Sequence, residues 1–251
     1  GEDVINTLAA RLPSGTYVIK PCDGAYGRGV LVFSCGDTGP EHVGETLKAH
    51  LVRHGDFDSW LVQPKLVNHE EVTRISPSPA LQTVRLVTYV DRNHDVRILL
   101  AGWRLADEKA DFDNFGGTAK NNVYCEIDPA EGAVYKCFMR SCHPFGFGLR
   151  EVERHPVTGR ILTGLQPPMW QDIVQLGKRA ALAFLPSRCL GWDIAMTSAG
   201  PVLIEANRYW DPHCDMGPVL RYLRAELAKA DSQSVASGER ALEPSISKLN
   251  T

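Results

Sequence analysis

Apolar residues recur at helical spacing from the start of the chain: Val4, Ile5, Leu8 and Leu12 share one side of a predicted helix over 3–12, which Pro13, Ser14 and Gly15 end. A strand over 16–20 follows, then a glycine-rich segment over 21–29, then a second apolar strand over 30–33. The glycine loop therefore joins two strands and does not open a helix. Val43, Leu47 and Leu51 predict an amphipathic helix over 40–54, and 59–63 reads as a short buried strand ending at Pro64. Residues 1–64 are thus expected to form a small α+β unit.

After Leu66 the strands lengthen, with 81–90 and 96–105 separated by the turn residues of 91–95. A polar stretch over 107–117 follows. The strongest helical pattern covers 166–185, with Pro167 and Pro168 in its first turn and Pro186 beyond its end. Strands over 190–197 and 202–206 flank the turn residues Ser198, Ala199 and Gly200 and predict a hairpin. A last helix is expected over 221–230. Residues 65–230 read as a larger second unit, and 231–251, rich in Ser, Glu and Lys without periodicity, as a mobile tail.

The 251 residues include 43% hydrophobic side chains, enough for a core, and no apolar run approaches the ~18 residues of a spanning helix. With 27 basic and 30 acidic residues, a net charge of −3 argues against a nucleic-acid binder. Any polyanion bound must be small. Seven cysteines, at 22, 35, 125, 137, 142, 189 and 214, form no CxxC pair, so a reducing, cytoplasmic setting is expected. Gly1 stands where an initiator Met would, which suggests a fragment.

Two segments carry chemistry. In the first, Gly24, Gly27 and Gly29 follow Lys20, and successive backbone N–H groups of such a loop cradle anions while the lysine adds a point charge. The spacing is neither a Walker loop nor a dinucleotide fingerprint, and a plain tight hairpin would read the same way. In the second, Asp193 sits among apolar neighbours on one strand of the predicted hairpin, with Glu205 and Asn207 two apart on the other, so all three can project from one face. Oxygen donors brought together on an apolar sheet repel unless a cation lies between them, which suits Mg²⁺ bridging to phosphate. The alternative is a half-exposed hairpin face. The acidic run over 107–113 reads as a solvated loop. Cys142 with His143, and His213 with Cys214, lack a third ligand at usable spacing and read as ordinary side chains, as do Trp192 and Trp210 in core packing.

Taken in order, KPCDGAYGRGV (20–30), QPKL (63–66), an arginine-bearing strand, NFGGTA (114–119) and GWDIAMTSAGPVLIEANRYWDP (191–212) resemble the ATP-grasp superfamily of carboxylate–amine ligases, with a texture closest to its sugar-transfer-associated proteins. The resemblance covers residues 16–222. It implies an ATP-grasp fold of two α+β subdomains with the nucleotide between them, and ATP with Mg²⁺ as cofactors. By the same resemblance Lys20 reaches the α and β phosphates, and Gly24, Gly27, Arg28 and Gly29 close over β and γ. Gln63, Pro64, Lys65 and Leu66 read adenine, and Glu70 holds the ribose. Arg85 and Arg104 neutralise the transferred phosphate or hold the acceptor carboxylate, Asn114 lies near the γ-phosphate, and Asp193, Glu205 and Asn207 ligate magnesium. The implied substrates are a small carboxylate and an amine, joined through an acylphosphate; an ATP-grasp kinase acting on a hydroxyl, or a noncatalytic ATP-binding module, is the alternative.

Two departures stand out. Many relatives have Ser-Pro-Gly after the asparagine where this chain has Arg208 to His213, which makes Asp211 a candidate for an additional ligand or substrate contact. The N-terminal domain that usually precedes the lysine is absent or reduced to one helix, so a partner chain or a second copy is expected to supply it.

Overall fold

The computed structural model describes residues 2–24, 27–36, 39–110, 113, 115, 121–141, 148–210, 216–217, 219–226 and 228. Helix α1 (Glu2–Arg11) packs against α2 (Pro40–Arg53), where Pro40 opens the first turn and needs no intrahelical N–H partner. Beneath them strands β1 (Gly15–Pro21), β2 (Leu31–Cys35) and β3 (Trp60–Pro64) form an antiparallel sheet in the order β2-β1-β3. Tyr17, Ile19, Phe33, Val43 and Leu47 are the centre of this layer's core. Contrary to the buried strand expected there, β3 is an edge strand with Leu61 exposed. A single apolar run over five residues does not reveal which side it buries.

The second sheet has seven antiparallel strands in the order β10-β9-β4-β5-β6-β7-β8. They are β4 (Thr83–Val90), β5 (Val96–Leu105), β6 (Val123–Ile127), β7 (Val134–Arg140), β8 (Leu149–Glu151), β9 (Cys189–Thr197) and β10 (Gly200–Asn207). Helix α3 (Glu70–Ile75) precedes it. Helix α4 (Trp170–Ala183) lies across β4, β5, β9 and β10 through Trp170, Ile173, Val174, Gly177 and Ala181, a stripe at i, i+3, i+4 spacing. The helix expected from 166 starts at Trp170, and both prolines precede it. Trp103, Leu86, Trp192, Ile194 and Ile173 are essentially inaccessible in this core. Each such side chain removed from water contributes about 1.5–3 kcal/mol. Residues 219–226 are helical, overlapping the helix expected over 221–230 but starting before it. The tail expected over 231–251 lies outside the described residues. No helix among the described residues is long and apolar enough to cross a membrane.

Two backbone features position the site. In the turn before β2, Gly27 and Gly29 have φ of 73° and 75°, a region costly for other residues. A Cβ on Gly29 would stand 2.8 Å from the Pro21 ring. In the terminal hairpin, Leu203 pairs with Ile194 and Glu205 with Asp193, so Ile204 is an extra, bulged residue. Without that bulge Glu205 would not oppose Asp193.

Candidate active site

Asp193, on the central part of β9, is 4% exposed and takes three charge-assisted hydrogen bonds. Arg85, its cross-strand neighbour on β4, donates from Nε to Oδ1 at 2.5 Å and from Nη2 to Oδ2 at 3.1 Å. Arg104, from β5, reaches Oδ2 with Nη2 at 2.6 Å. Burial works against ionisation of Asp193, but Arg104 and Arg85 outweigh it and take the carboxyl down to about 2. The charge is secured.

Glu205 lies opposite Asp193 and remains accessible to solvent. Partial burial raises its carboxyl above the ordinary range, and the adjoining Asp193, as hydrogen-bond partner and as negative charge, raises it further. A glutamate whose charge the neighbouring aspartate disfavours forms with it a donor set that a divalent cation relieves. Asn207 Nδ2 donates to Glu205 Oε1 at 3.2 Å, and turning that amide over would present its carbonyl oxygen instead. The residues present therefore fit a hard cation. Among the described residues there is no cluster of three or more His, Cys, Asp or Glu able to hold a metal, so the fit depends on Asn207 and on a ligand's oxygens completing the shell.

Lys20 approaches from the other sheet, its Nζ 3.4 Å from the main-chain oxygen of Ile204. An ammonium from the first strand thus sits one residue from Glu205, at the bulge. Arg104 is 7% exposed and faces inward. Its Nε lies 3.5 Å from Asp113 Oδ2, and its Nε and Nη2 donate to Thr83 Oγ1 at 3.2 and 2.6 Å. Burial opposes its charge, yet Asp113 and Asp193 hold it protonated more firmly than a free arginine.

Other predicted residues lie elsewhere. The glycine loop is tied to α2 and the turn after it: His50 Nε2 meets Gly29 O at 2.8 Å, and Arg28 pairs with Asp56 and stands 5.2 Å over the Phe57 ring. Gly24 lies at the base of this loop against Pro21. Gln63 and Pro64 pair with Val18 and Tyr17, while Lys65 N donates to Thr16 O at 2.8 Å. Leu66 is half-buried. Glu70 opens α3, pairs with Arg74 at 2.9 Å, and lines an open cleft of about 650 Å³ together with Asn68, His69, Thr73 and Ser198. None of Lys20, Asp193 or Glu205 lines that cleft. Asn114, Asp211 and the Cys–His pairs at 142–143 and 213–214 fall outside the described residues. Trp192 is core, as expected, and its Nε1 donates to Thr88 Oγ1 at 2.8 Å.

Asp113 corrects the expected solvated loop. Its Oδ2 accepts from Thr83 N at 2.8 Å and Thr83 Oγ1 at 2.5 Å, and its side chain is 12% exposed. Nothing in the acidic run distinguished it from its solvated neighbours; only the position of Thr83 at the start of β4 does.

Two antiparallel sheets, with a lysine from the first meeting a carboxylate-bearing hairpin of the second, define an α+β protein of the ATP-grasp class. The chain matches the sugar-transfer associated ATP-grasp family over residues 3–225, and it belongs to that family. Among solved structures it is similar to D-alanyl-alanine synthetase A from Vibrio cholerae O1 biovar eltor, at 13% identity and a TM-score of 0.43 over 82% of this chain and 46% of that one. It is also similar to the biotin carboxylase domain of the Hydrogenobacter thermophilus 2-oxoglutarate carboxylase, a structure holding MgADP, ADP and bicarbonate, at 11% identity and a TM-score of 0.44 over 85% of this chain and 35% of that one. The chain spans less than half the length of either. No curated protein matches it.

Proposed function

We propose that this chain is an ATP-dependent carboxylate–amine ligase. The observation that carries the reading is the approach of Lys20 Nζ to the bulge beside Glu205, itself opposite Asp193. Residues 1–64 and 65–230 are read as two subdomains with the triphosphate between them, Lys20 on one side and Asp193, Glu205 and Asn207 on the other. Glu70 and the edge strand β3 with Lys65 and Leu66 suit the ribose and adenine end, because an exposed Glu70–Arg74 pair contributes little and is readily exchanged for ribose hydroxyls.

A carboxylate is a poor electrophile, and activation is the purpose of the ATP. An oxygen of the acceptor carboxylate would attack the γ-phosphorus as the bond to the ADP oxygen breaks. The amine nitrogen would then attack the acyl carbon, phosphate would leave, and the nitrogen would lose a proton. Both steps need positioning and neutralisation of charge more than covalent participation by the protein. Lys20 offsets charge on the phosphates, and Arg85, at the Asp193 end of the network, can face the transferred group. Arg104 acts through Asp193, which it holds in place. Magnesium, when bound by Asp193, Glu205 and Asn207, would offset the charge of the phosphate oxygens. The sugar-transfer association of the family favours a substrate in surface-polysaccharide assembly, and cysteines without a CxxC pair favour a cytoplasmic place of action.

The test is ADP release with Mg²⁺ against amino acids, sugar acids and small amines, followed by mass measurement of the product. An amide with free phosphate supports the ligase; a stable phosphoester would assign a kinase instead, and nucleotide binding without turnover on any acceptor a binding module. Glu205→Gln is expected to lower kcat by on the order of 10²–10³, and a near wild-type rate would overturn the metal assignment.

A further inference from the structure

Arg85, Asp193, Arg104 and Asp113 alternate in sign along one chain of contacts, and its last member has no place in the function described so far. Thr83 fixes the direction of its end. Its hydroxyl accepts from Arg104 and so has its own proton free for Asp113 Oδ2, which also takes the Thr83 N–H. The segment leading to Asp113 is anchored as well: Ser76 Oγ donates to Ala106 O at 2.7 Å and Ser78 Oγ to Asp107 O at 2.8 Å. Just beyond it, Phe115 is 2% exposed against Tyr124. Asp113 is therefore held from both sides against Arg104. Burial raises its carboxyl above the ordinary range in spite of Arg104 and Thr83, so packing alone gains little from a charge there.

We propose that Asp113 is a positioning residue that shares the charge of Arg104 with Asp193 and so leaves the Asp193 carboxylate more available to a divalent cation. The proposal rests on the reading of Asp193 as a metal ligand. Arg85 and Arg104 both hold Asp193, and a cation entering the site competes with two guanidinium groups for its oxygens. With Asp113 present, the charge of Arg104 is divided between two aspartates. Without it, Asp193 is the nearest remaining anion, the charge of Arg104 falls on it undivided, and the cation binds less well. Charge sharing at one remove thus sets metal affinity.

The experiment is calorimetric binding of ADP to the full chain across a Mg²⁺ series, with the thermal midpoint of the unliganded protein measured in parallel. Asp113→Asn keeps the size and an acceptor for the Thr83 N–H but removes the charge. The Mg²⁺ concentration giving half-maximal enhancement of ADP binding is expected to rise by about tenfold, with metal-free ADP binding unchanged. Asp113→Glu, which restores the charge, recovers part of the shift. Thr83→Val removes the hydroxyl that Arg104 and Asp113 share, without altering charge, and moves the Mg²⁺ requirement in the same direction by less; it carries the test should the Asn variant not fold. A lowered thermal midpoint with a wild-type Mg²⁺ requirement in these variants assigns Asp113 a merely structural role and overturns the proposal. Wild-type chain that binds ADP with no Mg²⁺ dependence overturns the metal reading itself, and the proposal with it.

Discussion

Arg104 and Arg28 each face an aspartate, under opposite conditions. Arg104 is enclosed between Asp113 and Asp193, with Thr83 accepting from its Nε and Nη2, whereas the Arg28 side chain is 64% exposed and shared between Asp56 and the face of Phe57. Removal of one partner from a desolvated pair strands a charge, while water replaces a lost partner at the surface. The large sheet therefore holds its carboxylates in a fixed geometry before any ligand arrives. The glycine loop is held by exposed contacts that cost little to displace. One end of the site is built, and the other is free to adjust.

The sharpest way to break this contrast is Arg104→Ala, which leaves Asp113 and Asp193 without their common cation. Urea denaturation is expected to show a loss of about 3–5 kcal/mol, and a loss below about 1 kcal/mol would mean that the buried network is no firmer than a surface pair. Acid titration probes the same network more gently. Asp193 falls from an ordinary 3.8 to about 2, so its share of stability is complete above about pH 4 and disappears as pH drops towards 2. That share is about 2 kcal/mol, and the decline of stability over this window is expected to flatten in Asp193→Asn. The smallest effect belongs to the loop: Arg28→Ala should change stability by less than about 1 kcal/mol while raising the KM for ATP. A large fall in thermal midpoint would show that the loop is part of the frame.

The sequence made one half of this contrast readable. Strand β5 ends where its apolar pattern ends, and the hairpin of β9 and β10 was visible because Asp193 and Glu205 interrupt otherwise apolar runs. Strands β6 to β8 were not foreseen: Glu126, Lys136 and the cysteines Cys125 and Cys137 break any two-residue alternation, since β6 is buried on both faces. Helix α3, six residues beginning with two glutamates, is too short to show a period. The resemblance makes Arg104 a candidate, but its inward aim depends on Asp113, some nine residues away in sequence and readable only once β4 and β5 are side by side.

The bulge at Ile204 has one more consequence. Lys20 addresses a peptide oxygen there and not a side chain, so the link is encoded in the path of the strand and is indifferent to which apolar residue occupies that position. Ordinary point changes at 204 would leave it intact, whereas deleting a single amino acid from the hairpin would rotate Glu205 to the opposite surface and sever the lysine's hold at the same stroke.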